Sequence, residues 1–158
     1  MKKYMKCIPL TGIFSFLLSF SCEHSTEPTW KLDFQKMEIH YTKAGGWINP
    51  TKLDIYGNGL AIAYSFNQNA DSAIAVLDQK EQDEIADLFR AFFSYNHYYE
   101  PKPEDWVTDQ NSHMIILIYE GVPDTVSVYM PGKANIPLSL TKIILEMESL
   151  WAHVLNGN

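Results

Sequence analysis

Between Met37 and Thr42 apolar and polar residues alternate. Met37, Ile39 and Tyr41 point one way, and Glu38, His40 and Thr42 the other. A period of two belongs to a strand with one face buried. Ala44-Gly45-Gly46-Trp47 interrupts it. The alternation resumes at Lys52 with Leu53 and Ile55 on one face, then stops at Gly57-Asn58-Gly59, residues that tolerate the positive φ of a tight turn. Leu60 to Phe66 runs back, so residues 52–66 are expected to form a hairpin, and Ser72 to Leu77 a further short strand.

At Asp78 the period changes. Asp78 with Glu81 three positions on reads as a capping box, and Ile85, Leu88, Phe89 and Phe92 recur at helical spacing opposite Glu84, Asp87 and Arg90. Residues 94–111 follow as a loop dense in aromatics and acids, with Pro101 and Pro103 breaking any regular element. Met114 to Tyr119 is nearly all apolar, as a central strand covered on both faces would be. Residues 120–124 turn the chain and Thr125 to Met130 pairs back. Ser139 is expected to cap a last helix, whose stripe is Ile143, Ile144, Met147, Leu150, Trp151 and Val154 and whose end is Asn156-Gly157. Strands joined by tight turns give a mostly antiparallel sheet of about five or six strands with two helices on one face, an α+β domain over residues 34–158.

The first 33 residues have a different pattern. Lys2, Lys3 and Lys6 precede an apolar run from Ile8 to Phe20, which is short for a membrane span; Ser21 and Cys22 follow, and the chain then turns polar. Residues 1–21 read as a signal peptide and 22–33 as a tether. Removing that 21-residue leader from 158 leaves 137 residues, enough to bury a core. Of the 12 basic residues, the three leader lysines fall away, leaving nine against 19 acids, a net −10. Such a surface has no basic stripe for phosphates, so nucleic acid is not an expected partner. Cys7 goes with the leader, so Cys22 is the only mature cysteine, which leaves no disulfide, thiol nucleophile or cysteine zinc site.

The leader and Cys22 resemble those of bacterial lipoproteins, although Ser19 stands where that family usually has Leu. The resemblance implies acylation of Cys22 (palmitate is a typical chain), cleavage before it, and a lipid-anchored protein of the bacterial cell envelope, on the periplasmic face or the outer membrane. A plain secreted protein cut near Ser21 is the alternative.

Little in the mature chain carries chemistry. His24, His40, His97, His113 and His153 lack metal-helix spacing and read as solvated or edge histidines. No serine-nucleophile motif is present, and the Gly pairs mark turns rather than phosphate loops. No catalytic group, cofactor or metal is expected. Two segments are candidate protein-binding surfaces: the corner Gly45, Gly46, Trp47, and the aromatic loop with Tyr98, Tyr99 and Trp106. In the loop the competing role is a core plug between helix and sheet.

The opening strand ending in Gly45-Gly46-Trp47, the turn Tyr56-Gly57-Asn58-Gly59, the capped helix from Asp78, a loop with Tyr99 and Asp109, a hairpin and a final helix resemble families of small uncharacterised bacterial lipoproteins and secreted proteins. The layout over residues 37–154 is also similar to emfourins, proteinaceous inhibitors of thermolysin-type metallopeptidases; their early glycine segment matches Gly45, Gly46 and Trp47. Three functions follow as expectations: a lipid-anchored, non-enzymatic binding module; a peptidase inhibitor; or a hydrolase using Asp105, Asp109 and His97 or His113.

Overall fold

The computed structural model describes residues 31–46, 49–66, 71–105 and 111–157. Cys22, Trp47, Trp106 and Asp109 lie outside the described residues. Seven strands form one sheet: β1 (Met37–Gly45), β2 (Thr51–Tyr56), β3 (Leu60–Ser65), β4 (Asp71–Val76), β5 (Tyr98–Tyr99), β6 (Asn111–Tyr119) and β7 (Val122–Tyr129), in the order β4-β3-β2-β1-β6-β7-β5. All pairs are antiparallel except β5 with β7. Two helices, α1 (Gln79–Leu88) and α2 (Leu138–Asn156), complete the α+β fold. The sheet exceeds five or six strands because two residues of the aromatic loop pair with its edge.

Register places the core. Ile39 lies opposite Ile55 and Leu117, and Tyr41 opposite Leu53 and Ile115, so one face of the central strands is apolar across neighbours. Ile85, Phe89 and Phe92 join Ile143, Met147 and Val154 of α2 over that face in one buried cluster. The Trp151 indole donates to the Tyr64 carbonyl at 2.9 Å, fixing α2 on β3.

Local chemistry sets the ends of the helices. Asp78 accepts from the Glu81 N–H and the Glu81 carboxylate from the Asp78 N–H, so the capping box is complete. Gly157 closes α2 at φ 67. Ser139 does not cap α2: the helix begins one residue earlier, behind Pro137, which offers no side-chain acceptor. The run from Phe89 tightens into a 3-10 turn ending at Ser94. Leu32 is buried and Asp33 caps the 3-10 turn Phe34–Lys36, so the packed body takes in both residues.

The sheet's second face carries no helix among the described residues. β6 is central but covered on one face only: Met114 is exposed and Ile116 and Ile118 half-buried on the other. At its middle His40 Nδ1 lies 2.7 Å from Asp54 Oδ1 and Nε2 2.9 Å from Glu38 Oε1, while Lys52 reaches Asp54 Oδ2 at 2.7 Å. Asp54 is 2% exposed on this bare face because these partners and the Tyr56 and Tyr64 rings close over it. Each carboxylate oxygen of Asp54 has a cationic or ring-nitrogen neighbour, so the cluster is a polar plug with no acceptor of Asp54 left open. No helix among the described residues is long and apolar enough to cross a membrane.

Gly57 is glycine because of a close approach. A Cβ there would stand 2.3 Å from the Gln35 carbonyl oxygen and 2.7 Å from its carbon, both backbone atoms. Gly57→Ala must push the incoming chain off the hairpin, and the expected loss is about 3 kcal/mol by chemical denaturation. Gly132→Ala, with nothing within 4 Å of its Cβ, is the control and stays within about 0.5 kcal/mol.

Candidate functional site: a polar trough under the last helix

The inward face of β1 runs Met37, Ile39, Tyr41 and then Lys43, so its apolar series ends in a charge. Lys43 lies opposite His113 of β6 and Thr51 of β2, and Thr51 opposite Ser65. One row across the covered face is therefore polar, and it is the row at which the core stops. Above it, helical spacing carries Glu148 four residues beyond Ile144, onto the margin of the buried stripe of α2. Lys43 Nζ donates to Glu148 Oε1, tying sheet to helix.

Beneath that pair lie Tyr41 and His113. The Tyr41 hydroxyl and His113 Nδ1 share a hydrogen bond of 2.8 Å. His113 is 2% exposed, which removes it from the solvated or edge class. Its Nε2 is shielded from solvent and has no hydrogen-bond partner among the described residues. Burial, reinforced by the Lys43 ammonium and only partly opposed by Glu148, pushes the His113 pKa down to about 4. Burial first, then the negative charge of Glu148, pushes the Tyr41 hydroxyl upward. Both groups are thus neutral near pH 7.

The Lys43–Glu148 pair divides two openings. On one side a cavity of about 540 Å³ is lined by Asn111, His113, Lys133, Thr141 and the apolar Met130, Ile136, Ile144 and Leu145. On the other, about 280 Å³ opens between Tyr41, Asn49, Thr51 and Trp151. Lys43 and Glu148 line both. The turn Met130–Ala134 forms one wall, closed by Lys133 and Ala134 N–H groups donating to the Met130 carbonyl. Met130 sits at φ 51, left-handed backbone that a non-glycine residue rarely adopts. Leu145 is 59% exposed at the mouth of the larger cavity. A groove between α1 and α2, about 240 Å³, has Glu81, Glu84 and Glu146 on its walls.

The residues expected from sequence fall in two places. Gly45 ends β1 opposite Asn111, beside the larger cavity, and Gly45 and Gly46 take positive φ of 96 and 63. Their corner therefore adjoins the trough, while Trp47 lies outside the described residues. Tyr98 and Tyr99 form β5 at the sheet edge: Tyr98 is exposed, and Tyr99 packs against the core with its hydroxyl accepting from the Asn96 N–H. Trp106 lies outside the described residues.

Of the hydrolase grouping, Asp109 lies outside the described residues. His97 Nδ1 faces Asp124 Oδ1 at 3.2 Å and the Thr125 carbonyl at 3.0 Å, His113 faces Tyr41, and Asp105 lines neither opening of the trough. No grouping of His, Cys, Asp and Glu among the described residues has the arrangement of a metal site.

The site residues expected from sequence do not include Tyr41, Lys43 or Glu148, and His113 stands there among edge histidines and hydrolase candidates. The pattern that finds them is a polar residue at a core position: Lys43 at the parity of Tyr41, His113 at the parity of Ile115, Glu148 at the spacing of Ile144. Compared with known proteins, the chain matches no family model and no curated protein.

Proposed function

We propose that this chain is a lipid-anchored, non-enzymatic binding module of the bacterial cell envelope, tethered through acylated Cys22 and binding its partner at the trough under α2. The observation that carries this reading is the placing of the trough relative to the point where the described chain enters the fold. The chain enters at Leu32–Lys36, where Lys36 donates to Glu120 at 2.6 Å in the β6–β7 turn. Lys43 and His113 lie toward the other end of the same strand pair, six residues beyond Met37 and roughly 20 Å along β1 at about 3.3 Å per residue. A domain held at its entry end presents the trough away from the lipid. The inhibitor reading draws on the exposed Gly45–Gly46 corner at this same end.

The test has two arms. Wild type is expected to incorporate labelled palmitate and to sediment with membranes, and Cys22→Ala to lose both. A photo-crosslinking residue at Leu145 is expected to form one discrete adduct in intact cells, whereas one at Ile74, exposed on the bare sheet face, forms none. Unchanged sedimentation of Cys22→Ala overturns the anchor; adducts from Ile74 alone overturn the trough.

A further inference from the structure

We propose that the larger cavity takes a carboxylate carried on an apolar body, with Lys133 and His113 meeting the head group and Met130, Ile136, Ile144 and Leu145 the body. This rests on the trough being the binding site. The source of such a group is either the C-terminal end of an apolar peptide or a short free fatty acid.

Charge complementarity is the first support. The mature chain carries a net −10, yet this cavity is lined by two lysines and one carboxylate. Lys43 is spent on Glu148, which leaves Lys133 as a cation with no ion pair among the described residues. Helix α2 starts at the same rim, through Ile136 and Thr141, and Pro137 gives its first-turn N–H groups no side-chain acceptor. The positive end of a 19-residue helix adds to the attraction for an anion.

His113 is the second, independent support. A side chain 2% exposed with an unpartnered ring nitrogen is costly unless something at times satisfies it. The 2.8 Å contact between the Tyr41 hydroxyl and Nδ1 fits either ring tautomer. In the proposed mode the proton stands on Nε2, so that Nδ1 accepts from Tyr41 and Nε2 donates to the carboxylate. Nε2 is closed off from solvent, so the head group meets it only as a wall side chain yields. Met130, unbranched and lining the same cavity, is the side chain that moves in the proposed mode.

The third support is the mouth. Leu145 is 59% exposed on the outer face of α2, and at this mouth it offers apolar contact to a ligand body. Polar head and apolar body are thus recognised on opposite sides of one opening.

The experiment uses the full chain in phosphatidylcholine nanodiscs with nitrogen-15 histidine, the His113 signals being those missing from His113→Gln. The probes are hexanoate and hexanamide, and N-acetyl-Leu-Leu as its free acid and its amide. The expected result is a ring proton on Nε2 in the free protein and a shift of that nitrogen with one of the acids but neither amide. The acid that binds tighter names the source. Lys133→Gln is expected to weaken binding about tenfold, the loss of one charge-assisted contact. Equal binding of acid and amide overturns the carboxylate but leaves the trough as a binding site. A proton found on Nδ1, or no response of His113 to any probe, overturns the proposal, while crosslinking from Leu145 decides the trough separately.

Discussion

Phe92→Ala is expected to cost about 3–5 kcal/mol and to lower the thermal midpoint by on the order of 10–20 °C. Phe92 is fully buried on the 3-10 turn that follows α1, with Phe89 at 5.3 Å and Tyr95 edge-on at 6.1 Å. It joins three parts of the fold: the helix before it, the aromatic loop after it, and the sheet face beneath. Truncation removes the ring's transfer energy and leaves a void that these elements close poorly, because the turn is held at both ends. Phe93, the next residue, is half outside the core and meets Phe92 edge-on at 6.4 Å. Phe93→Ala is therefore expected to cost about 1 kcal/mol or less. Circular dichroism melts of both variants check the contrast, and a Phe92→Ala midpoint within a few degrees of wild type would show that this residue is not the joint.

Most of the fold was legible because it depends on local periodicity. The alternation from Met37 to Tyr41, the Gly57-Asn58-Gly59 turn and the Asp78–Glu81 box all appear as read. What escaped is set by distant parts of the chain. β5 is two residues long and exists because the β7 edge offers Tyr98 and Tyr99 backbone partners; nothing within residues 94–111 specifies it. The N-cap of α2 is Pro137 rather than Ser139: the ring fixes φ at −57 at the entrance and the helix runs from Leu138 with no side-chain cap. β6 read as doubly covered, yet its second face is screened by neighbouring side chains of the sheet rather than by a helix.

The site was less legible than the fold, for a related reason. Tyr41 and His113 are 72 residues apart, and Lys43 and Glu148 are 105 apart, so no motif of fixed spacing joins them. Each is visible alone as a breach of the binary pattern: a charge after three apolar inward positions, a histidine in step with Ile115 and Leu117, a glutamate on an apolar stripe. Such breaches mark places where packing has been given up for something else. Glycines at a strand end were read as a binding corner, and they do adjoin the trough, but the groups that make it a chemical site lie two and more residues to either side.

Lowering the pH from about 6.5 to 4 is expected to remove roughly 3 kcal/mol of stability through His113 alone. The ordinary histidine pKa near 6.5 holds in the unfolded chain, whereas in the fold burial depresses it to about 4 against the opposing charge of Glu148. Between those values the unfolded chain binds a proton that the folded one refuses, so protonation favours unfolding. The contribution is fully present above about 6.5, declines through the interval, and is gone below about 4. The groups facing the ring explain why the fold does not simply accept the proton. Tyr41 already occupies Nδ1, the Glu148 carboxylate that would favour the charge is tied to Lys43, and Nε2 has no acceptor. His113→Leu keeps the bulk and removes the titration. It is expected to lose some stability at every pH, since the Tyr41 hydroxyl loses its contact with the ring, but to be flatter than wild type between pH 6.5 and 4 by about that 3 kcal/mol. Urea unfolding of both proteins across the interval gives the difference directly, and parallel pH profiles would mean that His113 accepts its proton in the folded state at an ordinary pKa.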